Sequence, residues 1–469
     1  MWHATCVVAG ISPLFFILTT KINDFSQIMI DNSTFATLTA EYHTLGCKLN
    51  FSETGTMAQL LAEQGVRRAH GGETPDIVVV NTCSVTEEAD RKCRALLRRL
   101  RRRYADALIV ATGCYAQRAG DEVAKLPGVG VVLGSDRKRD VVEAVQSWLV
   151  DRRQQIEVTP LKDMTTFSPS CSRGDRTRYW LKVQDGCDYY CSYCTIPRAR
   201  GRSRSGTIDS LVAQAQQVAA EGGKEIVITG VNIGDFGKPR GEKFIDLARA
   251  LDQVDGIERY RISSLEPDLL SDELVEFVAG SHRFMPHFHI PLQAGSDEVL
   301  KLMRRHYDTD LFARKVEAIK RAMPHAFIGV DVIAGARGET PELFEQSLRF
   351  IEGLDVTRLH VFPYSERPNT LALTIQPVVD LHQRRVRTNR LIAASTRKLK
   401  AFAQGFAGTV RPVLFEQPRD GEPMHGFTDN YLRVEAPFDA SCIGKVVPTR
   451  LGEIIDDDCT FSGKLALQE

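Results

Sequence analysis

Short apolar runs alternate with helix-length amphipathic segments through the first part of the chain. The apolar runs are Tyr42–Leu45, Ile77–Asn81, Leu108–Thr112 and Val129–Leu133. Strands separated by segments of helix length are typical of a parallel α/β sheet. We therefore predict an open parallel α/β sheet domain over residues 41–150. Residues 1–40 are predicted to be an extension that is disordered or precedes the true start, which could be Met1 or Met29.

A second β/α series follows residues 151–176, a polar stretch without a clear period that is typical of a linker. A long helical pattern near residues 378–403 ends this series. We predict a partial (β/α)6 barrel over residues 177–403, smaller than the full eight-unit barrel. Its predicted strands are Tyr179–Val183, Ile226–Thr229, Tyr260–Ser263, His287–Ile290, Phe327–Ile333 and Arg358–Phe362.

The pattern changes again over residues 404–469. Short alternating runs are separated there by Gly, Asp, Asn and Pro, as in the segment Tyr431–Pro437 and the residues before it. Alternation with a period of two and frequent turn residues predict a small all-β module, most simply a compact barrel. The chain as a whole is therefore predicted to be of the α/β class, with a small β-barrel at its C-terminal end.

Composition excludes several classes of protein. The 469 residues are 43% hydrophobic and 26% charged, which is typical of a soluble globular protein and not of a disordered, collagenous or polytopic membrane chain. The 60 Lys and Arg residues balance 60 Asp and Glu residues, so a globally basic nucleic-acid coat is excluded as well. Local basic windows remain at residues 91–103, 173–204 and 381–400, where either phosphate binding or a solvated helix face would explain the charge.

One apolar stretch near the N-terminus could direct export. Residues 7–20 are apolar, but no Lys or Arg precedes them, Pro13 interrupts them, and they are too short to span a bilayer. We therefore expect a cytoplasmic protein with no membrane partner. Eleven cysteines in such a chain favour metal or redox chemistry over a disulfide framework.

Three cysteines stand close together in a C-x3-C-x2-C run, Cys187, Cys191 and Cys194, directly after the first strand of the second series. Three thiolates in one loop can hold three irons of a 4Fe-4S cluster and leave the fourth iron without a protein ligand. A zinc knuckle is the alternative, but structural zinc prefers four ligands, and no fourth Cys or His stands at a matching distance. The spacing favours the cluster.

Three further cysteines are far apart in sequence but equivalent in position. Cys47, Cys83 and Cys114 each come just after a predicted parallel strand. Because the carboxyl ends of parallel strands meet at one edge of a sheet, these thiols could converge on a second three-thiolate cluster. Three unrelated buried cysteines are the alternative, since cysteine is common as a small apolar residue.

With these motifs in place, the chain from Glu41 onwards resembles the methylthiotransferases of the radical S-adenosylmethionine (SAM) superfamily. Proteins of this family join a three-cysteine N-terminal domain, a radical SAM partial barrel with C-x3-C-x2-C, and a C-terminal TRAM domain that binds RNA. The segments Leu45–Asn50 and Thr195–Ser205 are most similar to the branch that modifies N6-threonylcarbamoyladenosine in tRNA. Other branches act on N6-isopentenyladenosine or on a ribosomal protein.

The resemblance implies two 4Fe-4S clusters and SAM as cofactors. Cys187, Cys191 and Cys194 would hold the cluster that binds SAM and supplies a 5′-deoxyadenosyl radical, and these three are the expected catalytic cysteines. Cys47, Cys83 and Cys114 would hold an auxiliary cluster that handles the inserted sulfur. Family motifs that line the SAM pocket match at Gly230, Asn232, Ser264, Glu266, Gln293 and Gly335. One motif departs from the family, because Ala336-Arg337 stands where Phe-Pro is usual.

The implied reaction is conversion of N6-threonylcarbamoyladenosine at tRNA position 37 to its 2-methylthio derivative. The partners would be the tRNA anticodon loop, an electron donor such as flavodoxin or ferredoxin, and a sulfur source. Expected RNA contacts are Arg198, Arg200, Arg202 and Arg204 beside the first cysteine motif, and Tyr431 and Arg433 in the C-terminal module. The alternatives are the same chemistry on isopentenyladenosine or a ribosomal protein residue, and a non-catalytic iron–sulfur protein that binds RNA.

Overall fold

The computed structural model describes residues 35–172, 177–419 and 421–466. The extension predicted over residues 1–40 and the choice between Met1 and Met29 fall almost entirely outside these residues. The first strand begins at Thr39, two residues before the predicted start of the first domain. None of the described helices is both long enough and apolar enough to cross a membrane.

The N-terminal region forms one six-stranded parallel sheet in the order β2-β1-β3-β4-β5-β6. Side chains of β3 alternate between the two faces, so that Val78 and Val80 pack into one apolar cluster and Ile77 and Val79 into another. Burial on both faces explains the continuous apolar runs of the sequence. The elements are β1 (Thr39–Thr44), α1 (Lys48–Glu63), β2 (Arg67–Arg68), β3 (Ile77–Thr82), α2 (Glu87–Arg103), β4 (Leu108–Gly113), α3 (Cys114–Arg118), α4 (Gly120–Ala124), β5 (Val129–Leu133), α5 (Val141–Asp151) and β6 (Gln155–Glu157).

The segment predicted as a linker contributes to both neighbouring sheets. Strand β6 pairs with β5 and completes the N-terminal sheet, and β7 (Ser170–Cys171) pairs antiparallel with the first strand of the next region. Because both strands are short and polar, they carry little periodic signal, and the sequence therefore predicted a linker throughout.

The central region is an open barrel of six parallel strands, which confirms the predicted fold class. Strands β8, β11 and β12 form one parallel set, β13, β14 and β15 form another, and a parallel bridge between Ser264 and His289 joins the two. Among the described strands, β8 and β15 do not pair, so the barrel is open on that side. The elements are β8 (Arg178–Lys182), β9 (Gln184–Asp185), α6 (Ile196–Arg200), β10 (Arg204–Ser205), α7 (Ile208–Ala220), β11 (Glu225–Thr229), α8 (Phe244–Asp252), β12 (Arg259–Ile262), α9 (Asp272–Gly280), β13 (His287–Gln293), α10 (Asp297–Leu302), α11 (Thr309–Ala322), β14 (Phe327–Ala334), α12 (Pro341–Gly353), β15 (Arg358–Pro363) and α13 (Leu381–Gln404).

The C-terminal module is a closed five-stranded barrel in the order β16-β17-β18-β20-β19, as the alternating pattern predicted. Its strands are β16 (Val410–Glu416), β17 (Met424–Thr428), β18 (Arg433–Ala436), β19 (Val446–Ile454) and β20 (Phe461–Leu465). Arg259 and Arg261, at the start of β12, donate hydrogen bonds to backbone carbonyls of this module at 2.7–3.0 Å. The module therefore packs on the amino-terminal end of the central barrel.

Buried charges hold the N-terminal domain against the central barrel. Glu53 of α1 accepts hydrogen bonds from Arg200 of α6 at 3.0 Å and from Lys182 of β8 at 2.8 Å, and it also pairs with Lys138. Burial opposes ionisation of Glu53, but these three cations hold the pKa of its carboxyl well below its usual value. Ions buried this deeply are stable only when each is paired, so the interface tolerates little rearrangement.

Candidate active site and its two cysteine loops

Cys187, Cys191 and Cys194 lie in the loop that follows β8 and β9 and leads into helix α6. Backbone amides point at two of the sulfurs: Tyr189 N lies 3.5 Å from Cys187 Sγ, and Ile196 N lies 3.4 Å from Cys194 Sγ. Burial raises the pKa of both thiols to about 12. Because metal binding needs the thiolate, a cationic metal centre would have to supply the missing stabilisation of negative charge.

The third sulfur of the loop has a charged partner that the sequence did not indicate. Arg305 donates from Nη1 to Cys191 Sγ at 3.1 Å, although 114 residues separate the two in the chain. Its Nη2 pairs with Glu266, and its side chain is only 3% exposed. Burial raises the pKa of Glu266 to about 7, with the adjacent guanidinium acting in the opposite direction. A buried arginine therefore connects the cysteine loop to a residue predicted for the SAM pocket.

The donor set suits an iron–sulfur cluster better than a single ion. In the part of the chain that the structure describes, no three His, Cys, Asp or Glu side chains converge on one metal position. Thiolates of a cluster each bind a different iron, so their sulfurs need not meet at one point. Hydrogen-bond donors aimed at the sulfurs are a common feature of cluster sites. The loop therefore fits the predicted cluster.

The second set of cysteines also comes together at one edge of a sheet. Cys47, Cys83 and Cys114 follow the neighbouring parallel strands β1, β3 and β4, and negative charge on Cys114 would raise the pKa of both Cys47 and Cys83. A side chain at Gly46 would place its Cβ 2.8 Å from Cys83 Sγ. A side chain at Gly113 would place its Cβ 2.4 Å from the carbonyl oxygen of Thr82. Glycine before two of the cysteines is thus required by close packing of the loops.

Asn50 ties this set of loops together. Its Nδ2 donates to the carbonyl oxygens of Leu45 at 2.7 Å and Thr82 at 3.1 Å, the ends of the strands before Cys47 and Cys83. Its Oδ1 accepts from Arg200 at 2.7 Å. Since Asn50 is fully buried, these bonds fix the two loops relative to each other and to the central barrel.

The N-terminal set of cysteines and the Cys187–Cys194 loop are neighbours. Thr195, directly after Cys194, donates a hydrogen bond to the carbonyl oxygen of Ser84, directly after Cys83, at 3.3 Å. Helix α3, which begins at Cys114, packs against helix α6, which follows Cys194. The fold thus brings six cysteines from two domains to one region of the molecule.

A cavity of about 800 Å³ occupies the barrel interior beside the Cys47 loop, and all three domains line it. Cys47 and Lys48 come from the N-terminal domain, Gly230 and Ser264 from the ends of central strands, and Tyr431 from the C-terminal module. A volume of this size is typical of a site for a small molecule or nucleoside. The arrangement can hold a substrate in contact with the N-terminal cysteine site and the barrel together.

Comparison with known proteins identifies the family. Residues 39–134 match the uncharacterized protein family UPF0004, and residues 181–351 match the radical SAM superfamily. The chain is 37% identical over 423 residues to the threonylcarbamoyladenosine tRNA methylthiotransferase MtaB of Bacillus subtilis, covering 88% of this chain and 93% of that protein. The chain belongs to the radical SAM methylthiotransferases. It is accordingly an enzyme of this class, which confirms the resemblance inferred from the motifs.

Other relatives of this methylthiotransferase carry two different names. MtaB of Thermotoga maritima is 33% identical, covering 89% of this chain and 95% of that protein. A tRNA-2-methylthio-N(6)-dimethylallyladenosine synthase of Pelotomaculum thermopropionicum is 30% identical, covering 86% and 92%. The radical SAM methyltransferase TsrM of Kitasatospora setae has a similar fold, with a TM-score of 0.55 and 15% identity over 70% of this chain and 73% of that one.

Two of the residues predicted for the SAM pocket, Gly230 and Asn232, lie in the loop after β11. Gly230 permits close approach of Gln184, whose Oε1 accepts from the amides of Val231 and Asn232 at 3.0 and 2.8 Å. Asn232 is buried, and within the described residues its Oδ1 has no hydrogen-bond partner. An orphaned buried acceptor fits a bound polar ligand such as SAM. Gln184, which also bonds to Gly186 and Ser203, was not indicated by the sequence because no motif marks it.

Two further residues predicted for the pocket lie at the end of β13 and directly after β14. Gln293 has a left-handed φ of 67° at the bulge where β13 shifts its register against β14. Gly335 has a φ of 73°, and a Cβ at this position would lie 2.4 Å from Cγ of Arg384, so the turn requires glycine. Next to it, Arg337 pairs with Glu366 at 3.0 Å. The Ala336-Arg337 departure therefore keeps the turn and directs its arginine to a neighbouring carboxylate.

The predicted RNA contact is wrong for two of the four arginines, because both side chains are buried. The side chain of Arg200 is 1% exposed and is bound to Glu53, Asp185 and Asn50. The side chain of Arg204 is 7% exposed and donates to the carbonyl oxygens of Arg200, Arg202 and Thr166. Both guanidinium groups are buried and paired within the protein, so neither is presented to a phosphate at the surface.

The other predicted RNA contacts are placed at the surface or in the cavity. The exposed side chain of Arg202 lies 3.2 Å from Asp188, and Arg198 is exposed as well. Tyr431 and Arg433 line the cavity. The Tyr431 ring stacks on Phe427 with centroids 4.9 Å apart, so one of its faces is already covered.

Proposed function

We propose that the protein methylthiolates N6-threonylcarbamoyladenosine at position 37 of tRNA, next to the anticodon. The observation that carries the proposal is the cavity shared by Cys47, the strand ends of the barrel and the C-terminal module. A modified base extruded from the anticodon loop would enter it at little cost, because that base is already single-stranded. Relatives named for this substrate support the choice of base.

In this proposal each set of cysteines holds one 4Fe-4S cluster. Cys187, Cys191 and Cys194 would bind the cluster that, with SAM, supplies the 5′-deoxyadenosyl radical for hydrogen abstraction. Cys47, Cys83 and Cys114 would bind the auxiliary cluster beside the substrate cavity. Gly230, Asn232, Ser264, Glu266, Gln293 and Gly335 stay predictions for the SAM pocket. Arg305 would hold Cys191 and Glu266 in fixed orientation.

A groove outside the cavity supports binding of a large anionic substrate. Helices α2 and α13 contain the first and last basic windows of the sequence, and both line a groove of about 710 Å³. Its lining includes Arg91, Arg94, Arg384 and Arg385 together with Glu87, Glu88 and Glu366, and Arg91 is paired with Glu88. Closely spaced guanidinium groups bind RNA phosphates by releasing counterions. The electron donor, the sulfur source and the cytoplasmic location stay parts of the proposal.

The test of catalysis uses anaerobically reconstituted protein. Wild-type protein should contain two clusters by iron and sulfide analysis and should form 5′-deoxyadenosine from SAM with dithionite. Cys191→Ala should lose one cluster and all 5′-deoxyadenosine, whereas Cys114→Ala should lose one cluster and retain 5′-deoxyadenosine. Cys442→Ala is the matched control, because Cys442 is a buried cysteine in the core of the C-terminal barrel. A single cluster in wild-type protein would contradict the auxiliary site.

A second candidate is the same chemistry on N6-isopentenyladenosine, which the name of the Pelotomaculum relative suggests. Nucleoside mass spectrometry of tRNA from a deletion strain separates the two. Loss of the 2-methylthio derivative of threonylcarbamoyladenosine supports the proposal. If that nucleoside persists while the isopentenyl product disappears, the second candidate is correct.

A further inference from the structure

Among the described residues, Lys48 places a cation in the substrate cavity with no carboxylate within ion-pair distance. Three acidic side chains line the cavity, and each is within ion-pair distance of a basic partner. The pairs are Asp331 with His289 (2.8 Å), Glu416 with Arg178 (2.8 Å) and Asp458 with Arg358 (2.9 Å). Lys48 lines the same cavity, and among the described residues its ammonium has no hydrogen bond and no ion pair within 4.0 Å.

Lys48 is a half-buried residue that the docking of the N-terminal domain brings to this cavity. It is the first residue of helix α1 and directly follows Cys47. Its charge acts on the pKa values of His287, Asp331 and Tyr431, which lie on β13, on β14 and in the C-terminal module. The ammonium group therefore faces groups on three walls of the cavity. A cation without a counterion in a cavity is a binding site for an anionic group.

We propose that Lys48 binds the carboxylate of the threonylcarbamoyl group and is thereby a specificity-determining residue. This inference rests on the proposed function. The threonylcarbamoyl group carries one carboxylate, whereas the isopentenyl group is apolar and would leave the ammonium unpaired. The N6 substituent and C2 both flank N1 of adenine, so a cation that holds the substituent also orients C2. Lys48 adjoins Cys47, so the oriented C2 would face the auxiliary cysteine site.

Two other anions could occupy the same position. An RNA phosphate and the carboxylate of SAM offer the same hydrogen-bonding chemistry to an ammonium group. Both are present whatever the modification on the adenine. Binding measured in the absence of SAM removes that source, and a comparison of the threonyl acid with its uncharged methyl ester separates the threonyl carboxylate from an RNA phosphate.

The experiment measures binding of two anticodon stem-loops to anaerobically reconstituted protein without reductant or SAM, so that the readout does not depend on turnover. One stem-loop carries threonylcarbamoyladenosine and the other its threonine methyl ester. Wild-type protein should bind the acid about tenfold more tightly, or better, because a charge-assisted hydrogen bond is lost with the ester. Lys48→Met should reduce this preference to about one, and Lys48→Arg should retain most of it.

Lys125→Met is the matched control, since Lys125 is an exposed lysine of the same domain and does not line the cavity. It should keep the wild-type preference. Equal binding of acid and ester by wild-type protein overturns the inference without using any variant. A loss of affinity in Lys48→Met that is the same for acid and ester assigns Lys48 to an RNA phosphate and also overturns it.

Turnover separates this inference from the proposed function. If reconstituted enzyme methylthiolates threonylcarbamoyladenosine but Lys48→Met keeps the preference for the acid, only the role of Lys48 is wrong. If the enzyme acts on isopentenyladenosine and not on threonylcarbamoyladenosine, the proposed function fails first.

Discussion

Replacement of Arg200 by leucine should destabilise the contact between the N-terminal domain and the barrel. The guanidinium of Arg200 donates to Glu53 at 3.0 Å, to Asp185 at 2.9 Å and to Asn50 at 2.7 Å. Leucine would fill part of the space but provide no donor. Asp185 and Asn50 would each lose a buried hydrogen bond, while Glu53 would keep two lysine partners.

The size of the effect follows from burial. Removing one partner of a buried ion pair costs about 3–5 kcal/mol, because the remaining charge stays buried and incompletely paired. The matched control is Arg202→Leu, two residues away. Arg202 is 75% exposed, and its contact with Asp188 at 3.2 Å is screened by water, so its loss should not be measurable. The two variants therefore differ in the environment of the guanidinium and not in the substitution.

Urea unfolding measures the difference directly. Fluorescence of Trp180 reports on the interface, because its ring centroid lies 5.4 Å from that of Phe51 of helix α1. With a slope of about 3 kcal/mol per molar urea, the midpoint for Arg200→Leu should fall by about 1 M or more. Equal midpoints for the two variants would refute the reasoning. Weaker tRNA binding by Arg200→Leu with an unchanged midpoint would instead restore Arg200 as a phosphate contact.

Three further predictions follow from single contacts. Arg305→Met should make the reduction potential of the cluster at Cys191 more negative, because a cationic donor to the sulfur is lost. A redox titration followed by electron paramagnetic resonance measures this potential, and an unchanged value would contradict the prediction. Gly113→Ala should lower the unfolding midpoint more than Gly241→Ala, since both have positive φ but only the first Cβ meets other atoms. Burial lowers the pKa of His287 well below 6.5, so the unfolded state takes up a proton that the folded state excludes. Stability should therefore fall as the pH drops below about 6.5, and less steeply in His287→Gln; identical pH dependence would contradict this.

The strands of both α/β regions could be predicted because their apolar runs are long and buried on both faces. Val129–Leu133 was predicted with the bounds that the structure has, and most other strands differ by one to three residues at an end. The convergence of Cys47, Cys83 and Cys114 was also predictable, since three consecutive parallel strands end at one edge. Glycine before two of these cysteines is a local signal of the same close packing.

Residues that act across domains could not be predicted in this way. Arg305 reaches Cys191 over 114 residues, and Arg200 reaches Glu53 over 147 residues. A run of arginines beside a cysteine motif is compatible with either phosphate binding or buried ion pairs, and only the packing of the N-terminal domain decides between them. The same packing directs Lys48 into the cavity. Its position in the sequence, next to Cys47, does not indicate which residues surround it.

Helix α6 explains why the two cysteine sites keep a fixed relation. The residue before the helix, Thr195, bonds to the loop after Cys83, and the helix itself packs on α3, which begins at Cys114. Its last residue, Arg200, binds Asn50, which in turn fixes the loops around Cys47 and Cys83. One five-residue helix thus contacts the supports of all three N-terminal cysteines. Because these contacts are buried and charged, opening the interface would expose several unpaired ions. We therefore expect the substrate and SAM to move into a preformed site, and the two domains to stay docked during the reaction.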